Sequence, residues 1–264
     1  MLKNKIINQL NKNRAKNISM IGIIENYGLE SNLEFGDSFL ITVRTDQLWC
    51  YISSNSKNEL IELLKKFENR TAYFASIESW MIPAISQNRK IEWELKTERL
   101  ILPEKLKLAK KVELISSAKK DTENKKTEIK EKDTENIEEI KIRKLKADDA
   151  DFIFDHSHYQ KFTSKPYIRE RIDADCSAGI FIKGELAAWG LTHDDGAVGF
   201  IHVRKAFRKR GFARLIIKKL IEDKRKNNND VFLNVEPNNL KAKKLFYSLG
   251  FEFDRVISWI KIKI

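Results

Sequence analysis

Apolar residues recur at helical intervals over residues 2–10 and 18–27, and the pattern then changes to short alternating runs at 39–43 and 48–53. Two helices leading into a strand pair are therefore predicted. Residues 59–67 return to the helical period, with Leu60, Ile61, Leu63, Leu64 and Phe67 on one face. Strands are expected at 71–77 and 91–95, on either side of a short helix at 80–85. From 116 to 138 the periodicity stops: no aromatic residue occurs, and only Ala118, Ile129 and Ile137 are apolar. That is too little apolar surface to offset the entropy of ordering a chain. Asp121-Thr-Glu-Asn124 also recurs there as Asp133-Thr-Glu-Asn136, so the stretch reads as a charged linker between two bodies.

Beyond it, periodicity predicts a strand at 140–145 and helices at 147–156 and 167–173. An antiparallel meander follows at 179–182, 186–192 and 198–203, with turns at Lys183-Gly184 and Asp195-Gly196. Next come a helix at 211–224, a strand at 231–235, a helix at 239–249 stopped by Gly250, and a closing strand or hairpin at 251–264. The expected class is α/β (α+β), with a mixed, mostly antiparallel sheet and flanking helices in the second body and a smaller α/β domain before it. The boundaries are 1–103, a linker at 104–138, and 139–264. Trp49, Trp80 and Trp93 are expected to be core packing.

Charge narrows the partners. The chain carries a formal charge of +12 and a pI near 9.5, which calls for an anion: nucleic acid, a membrane surface or a phosphorylated small molecule. Eleven Lys or Arg lie between 204 and 226, against Glu222 and Asp223. A positive field is expected at Arg208, Lys209 and Arg210, and an ordinary solvated helix face at Lys218, Lys219, Lys224, Arg225 and Lys226. Cys50 and Cys176 have no metal-binding or disulfide spacing, so both are expected to be buried thiols in a reducing, cytoplasmic interior. No metal site, signal peptide or membrane span is expected.

At residues 203–213 an apolar strand ends, a basic turn follows, and a helix begins at a glycine. Backbone N–H groups at such a helix start can converge on a diphosphate. Arg208-Lys-Arg-Gly211-Phe-Ala213 resembles the Arg/Gln-x-x-Gly-x-Gly/Ala segment of the GNAT N-acyltransferase superfamily. Asn239-Leu-Lys-Ala-Lys-Lys-Leu-Phe-Tyr-Ser-Leu-Gly250-Phe251 resembles its Asn-x-x-Ala-x-x-Leu-Tyr-x-x-x-Gly-Phe, and 185–196 looks like the central strands of the glycine N-acyltransferase-like branch. The resemblance covers about residues 139–264. It implies a GNAT fold, with the first body plausibly a degenerate GNAT-like half.

The resemblance further implies acetyl-CoA as cosubstrate, lying where the fourth and fifth strands splay. Its pantetheine would run beside the Val203 backbone and its diphosphate at Arg208, Lys209, Arg210, Gly211, Phe212 and Ala213, with Asn239 and Phe246 also in the cofactor site. The acceptor would be a primary amine of a small molecule or amino acid, attacking the thioester directly. Tyr167 and Trp189 are candidates for contacting that acceptor, with Tyr159 and Phe162 in the same loop.

Two family features are missing. The strand-four carboxylate of some members corresponds to Ala197, and the acid tyrosine of the last helix to Phe246. Tyr247, His202 and Glu236 are the residues nominated for proton transfer. Asp194, Asp195 and His193 are the other titratable candidates near the strand ends, the two aspartates reading most simply as turn formers. Because of the two losses, a catalytically weak acyl-CoA-binding regulatory module is kept as an alternative. The charge keeps a nucleic-acid or tRNA-associated protein as another.

Overall fold

The computed structural model describes residues 2–68, 70–87, 89–103, 139–157, 160 and 163–263. The linker at 104–138, with Tyr159 and Phe162, lies outside the described residues. The first half runs α1 (Leu2–Leu10), α2 (Arg14–Tyr27), β1 (Ser31–Phe35), β2 (Ser38–Arg44), β3 (Leu48–Ser53), α3 (Lys57–Phe67), β4 (Tyr73–Glu78), α4 (Ile82–Ser86) and β5 (Ile91–Ile101). The second runs β6 (Ile140–Arg143), α5 (Asp149–Asp155), α6 (Lys165–Ala174), β7 (Ser177–Ile182), β8 (Glu185–Thr192), β9 (Val198–Val203), α7 (Phe212–Lys226), β10 (Phe232–Val235), α8 (Leu240–Tyr247) and β11 (Glu252–Ile262).

Local chemistry sets several of these boundaries. Asn13 caps α2, Ser56 caps α3 and Ser164 caps α6, each accepting an N–H of the first turn on its side-chain oxygen. Pro166 sits at the start of α6, where its missing N–H is harmless. Two features escape the periodicity. Ser31–Phe35 lacks β-branched residues and is a strand because β2 pairs with it from Ser31↔Thr42 to Phe35↔Ser38. β5 continues to Ile101 because two strands of the second half bond its far end.

The halves repeat one another: two helices, three antiparallel strands, a helix, a strand, a helix and a last strand, with β6 added ahead of the second copy. They also exchange their last strands. β11, from the second half, lies between β4 and β5, while β5, from the first half, lies between β11 and β10. The result is a seven-stranded sheet in the order β1-β2-β3-β4-β11-β5-β10, beside a four-stranded sheet β6-β7-β8-β9.

The apolar cores follow the exchange. Leu100 and Leu102 are buried among α7, α8 and β7 residues, and Ile260 and Ile262 are buried against α3 and β4. Helix α2 has apolar residues all round and is buried accordingly. Met20, Ile21, Ile23 and Ile24 face the first half, and Ile18 meets Ala197 and Phe232 of the second. The tryptophan expectation needs correction: Trp80 and Trp93 are 40% and 38% exposed, and Trp49 is half-buried, with Tyr73 and Trp93 packed edge-on against it.

Candidate functional site

At Gly211 the backbone is left-handed (φ 78°), and α7 begins with no side-chain cap. The first helical bond is Leu215 N–H to the Gly211 carbonyl, at 3.2 Å, so the N–H groups of Phe212, Ala213 and Arg214 precede it and point out of the helix end. A Cβ placed on Gly211 would meet nothing within 4 Å. The glycine is thus required by its φ, and open space lies before the helix start. Lys209 is also left-handed (φ 64°), giving the turn the curl that brings successive amides to one side. Arg208, Lys209 and Arg210 are exposed around it. These residues fit a diphosphate.

Next to this turn the sheet opens. In the first half, β3 and β4 are bonded in parallel through Trp49↔Tyr73, Cys50↔Phe74 and Tyr51↔Ala75. Their counterparts β9 and β10 belong to different sheets and share no ladder among the described residues. The second half therefore has a slot between neighbouring strands, and the first half has none. Val203 ends the slot-side strand, and its carbonyl accepts from Arg208 Nε at 3.0 Å. β9 bulges opposite Trp189–Leu191, with Phe200 left-handed at φ 53°.

The nominated residues distribute around this slot as follows. Phe246 is buried edge-on against Phe251, and Tyr247 is 44% exposed at the end of α8, off the buried stripe. His202 stacks on Trp189 at 4.4 Å, and Trp189 is itself 1% exposed in the core with Phe152 against its edge. Trp189 therefore acts as packing behind His202. Glu236 is exposed at the end of β10, and its carbonyl accepts the Asn239 N–H. The Asn239 side-chain oxygen accepts from Ala242 N–H at 3.2 Å, making it the N-cap of α8. Tyr167 faces Phe200, at 6.2 Å between ring centroids.

One expectation about charge changes. Lys224 is not on a solvated face: its side chain is 3% exposed and bonds the Gly196 carbonyl at 2.7 Å. Among the other four, Lys226 is exposed.

In the turn between β8 and β9, Asp194 and Asp195 do more than form the turn expected of them. Asp195 is 2% exposed; its Oδ1 accepts the Ala197 N–H at 3.0 Å. Asp194 Oδ1 accepts the Asp195 N–H, and the Asp194 carbonyl accepts from Asn26 of α2 at 2.7 Å. Burial, then the Asp195 charge, pushes the Asp194 carboxyl up to about 7. Burial lowers the His193 imidazole against the opposing pull of Asp195. Tyr51 and Tyr167 are raised well above the usual phenol range, by burial first and then by Asp194. No sequence pattern announces this, because Tyr51 lies more than a hundred residues away from the turn.

The family description "FR47-like protein" matches residues 177–260, which span β7 to β11. A Drosophila protein of known structure is 19% identical, with 89% of this chain and 77% of that one covered at a TM-score of 0.68. A GCN5-related N-acetyltransferase from Kribbella flavida superposes at a TM-score of 0.56, with 10% identity and 94% of each chain covered. The chain has the GNAT fold. For a GCN5-related N-acetyltransferase-like protein from Streptococcus suis the values are 0.52, 12%, and 97% and 99%. These GNAT-fold likenesses take in both halves. No curated protein matches the sequence. Among the described residues, no group of metal-binding side chains occurs and no helix is long and apolar enough to cross a membrane.

Proposed function

We infer that this protein is an acyl-CoA-dependent N-acetyltransferase that moves an acetyl group from acetyl-CoA to a primary amine of a small molecule or amino acid. One observation carries the reading: β9 and β10 separate beside an uncapped, basic helix start, while the repeated strands of the first half are bonded shut. An extended chain ending in a diphosphate suits such a slot, since strand-edge groups meet its amides and the helix start meets its phosphates. The first half, residues 1–103, is read as a GNAT-like repeat that has lost its own slot. The second, 139–264, is the working repeat, and the doubled arrangement agrees with the glycine N-acyltransferase-like branch.

Within this reading the first turn of α7 holds the diphosphate, with Arg208, Lys209 and Arg210 supplying the field around it. Arg208 has to release the Val203 carbonyl if the pantetheine amide is to bond there. The bulge at Phe200 positions β9 backbone groups against the thioester carbonyl, where donors stabilise developing negative charge. Binding of acetyl-CoA to the full chain, followed by calorimetry, tests the assignment. Gly211→Asp sets a β-carbon on a left-handed backbone and a negative charge before the phosphates, and is expected to weaken binding at least 100-fold. Lys218→Asp, along the helix, is expected to weaken it less than 5-fold. Equal losses would point to a diffuse electrostatic effect and remove the helix-start site.

A further inference from the structure

We propose that Asn234 holds the acceptor nitrogen, its carboxamide oxygen accepting one N–H of the incoming amine, and that the site therefore takes primary amines and turns away secondary ones. The inference rests on the acetyl-transfer reading and adds to it the residue that orients the nucleophile and the amine class that residue admits.

Strand alternation places the side chain. Asn234 lies in β10, one wall of the slot, and its neighbours Leu233 and Val235 are buried in the core shared with α7 and α8. Successive side chains of a strand point to opposite faces, so Asn234 is on the other face with Phe232. Phe232 packs there against Ile18 of α2 and Ala197, just ahead of β9. The facing wall alternates in the same way. Ile201 and Val203 of β9 pack toward the α7 core, and His202 turns the other way to stack on Trp189. His202 and Asn234 thus stand on the same side of the two walls, away from α7 and α8. With the thioester between β9 and β10, an amine arriving from this side meets it from the face opposite the phosphate-binding helix.

The carboxamide oxygen lacks a donor. Asn234 Oδ1 is buried and has no hydrogen-bond partner among the described residues. Buried polar atoms are nearly always paired, because leaving one unpaired costs its full desolvation. The nearest strong donor by register is Arg99, directly opposite on β5 and 1% exposed. Its guanidinium is directed elsewhere: Nε to Asp254 Oδ2 at 2.8 Å, and Nη2 to the carbonyls of Ala15 and Lys16 at 3.0 Å each. Those carbonyls lie in the first turn of α2, so Arg99 also fastens the first-half helix that packs on this face. Asn234 as a whole residue is only half-buried, which leaves its carboxamide within reach of a small molecule. An amine brings the missing N–H.

Only a primary amine keeps that bond through the reaction. The free base R–NH2 carries two N–H groups, one donating to Asn234 Oδ1 while the lone pair faces the thioester carbonyl. The C–N bond forms, the C–S bond breaks, and the proton of the second N–H goes to the leaving sulfur. The product amide retains one N–H, so the bond to Asn234 persists, and it strengthens while the nitrogen carries positive charge. A secondary amine has a single N–H, the one the reaction removes, and Asn234 is left unpaired as the product forms. A site built around an N–H donor discriminates strongly against a ligand that cannot supply it.

The test uses the full chain, wild type, Asn234→Leu and Asn234→Asp, with acetyl-CoA and two amine pairs: benzylamine with N-methylbenzylamine, and alanine with N-methylalanine. Thiol release by the wild type, as kcat/KM, is expected to favour the primary member of at least one pair by about 50-fold or more. Asn234→Leu is expected to bring that ratio below about 5-fold by slowing the primary amine, with calorimetric acetyl-CoA affinity unchanged, while Asn234→Asp, which keeps an acceptor oxygen, keeps the ratio. Thermal melts separate this from a structural role. Removing an unpaired buried oxygen should leave the Asn234→Leu midpoint at or above that of the wild type. A wild type indifferent to N-methylation, or a ratio that Asn234→Leu leaves unmoved, overturns the inference, and a lowered Asn234→Leu midpoint with that unmoved ratio assigns the side chain to the fold. A wild type that binds no acetyl-CoA, or releases thiol with none of the four amines, would instead overturn the acetyl-transfer reading beneath it.

Discussion

Lys224 Nζ bonds the Gly196 carbonyl at 2.7 Å and lies 3.7 Å from Asp175 Oδ2, although its side chain is only 3% exposed. One helix therefore links two loops: α7 starts at the turn assigned to the diphosphate, and its last turn pins the loop that holds Asp194 and Asp195. A buried lysine held by a carbonyl and a carboxylate sets that loop's position relative to the slot.

Lys224→Met is accordingly expected to destabilise the protein by about 3 kcal/mol, because it strips the Gly196 carbonyl of its buried donor and leaves the Asp175 carboxylate with Arg171, 3.8 Å away, as its remaining cation, and to lower the thermal midpoint by roughly 5–10 °C. Burial works to raise the Asp175 carboxyl, yet Lys224 and several hydrogen bonds hold it below its ordinary 3.8. A carboxyl depressed in the fold contributes stability above its unfolded value and loses it as pH falls through the folded one. The difference between the two proteins should thus be full at pH 7 and shrink below about pH 4. Thermal melts across pH measure it, and a constant difference down to pH 3 would exclude the Asp175 pairing as its cause.

Asp194 gives the opposite pH dependence. Its carboxyl sits near 7 in the fold, against an ordinary 3.8, so ionising it counts against the folded state. The contribution of the protonated group is full below about pH 4 and is lost as pH rises to about 7. Asp194→Asn, neutral throughout, should match the wild type in melting temperature near pH 3.5 and exceed it by several degrees at pH 8. Differential scanning calorimetry at those two values is sufficient. A lower midpoint for the variant at pH 8 would mean that the ionised carboxylate is stabilised in place.

Tyr247→Phe should leave thiol release within about 3-fold of the wild type at all pH values, since a positioned acid contributes on the order of 100-fold or more and this hydroxyl sits on a 44% exposed ring at the end of α8. Its neighbour Phe246 occupies the buried stripe. A 100-fold loss, with acetyl-CoA affinity intact, would restore an acid on this helix.

The two repeats were legible in part. Alternation and helical period located nearly every element of the second half, and the glycine at 211 marked the helix start, because these are local properties of consecutive residues. The strand exchange was not legible: β5 and β11 look the same in sequence whichever half they join, and only pairing such as Leu100↔Phe253 and Ile101↔Glu252 decides. In sequence Asp194 reads most simply as a turn former. What changes its chemistry is burial beside Asp195, with α2 of the other half packed against the turn and Asn26 bonded to the Asp194 carbonyl, a tertiary effect that no local pattern encodes. Lys224 hides its role for the same reason: within α7 it continues a basic face, and its partners Asp175 and Gly196 come from elsewhere in the fold.

The exchange makes a last expectation possible. Sequence alone suggests that residues 139–264 bind acyl-CoA as a separate piece. In the fold, however, that piece has lent β11 to the first half and relies on β5 for the partners of β10 and for Leu100 and Leu102 in its own core. Without β5 the backbone groups of β10 and of one edge of β11 lose their ladders, and apolar side chains of α7 and α8 face water. Residues 139–264 expressed alone should therefore be poorly folded by circular dichroism and heat capacity, and should bind acetyl-CoA at least 50-fold more weakly than the full chain. Co-expression with residues 1–103 on a second chain should recover both properties, because the exchange needs the strands and not the connection between them. A 139–264 piece that melts cooperatively and binds at full strength would show that β5 is dispensable to the second core.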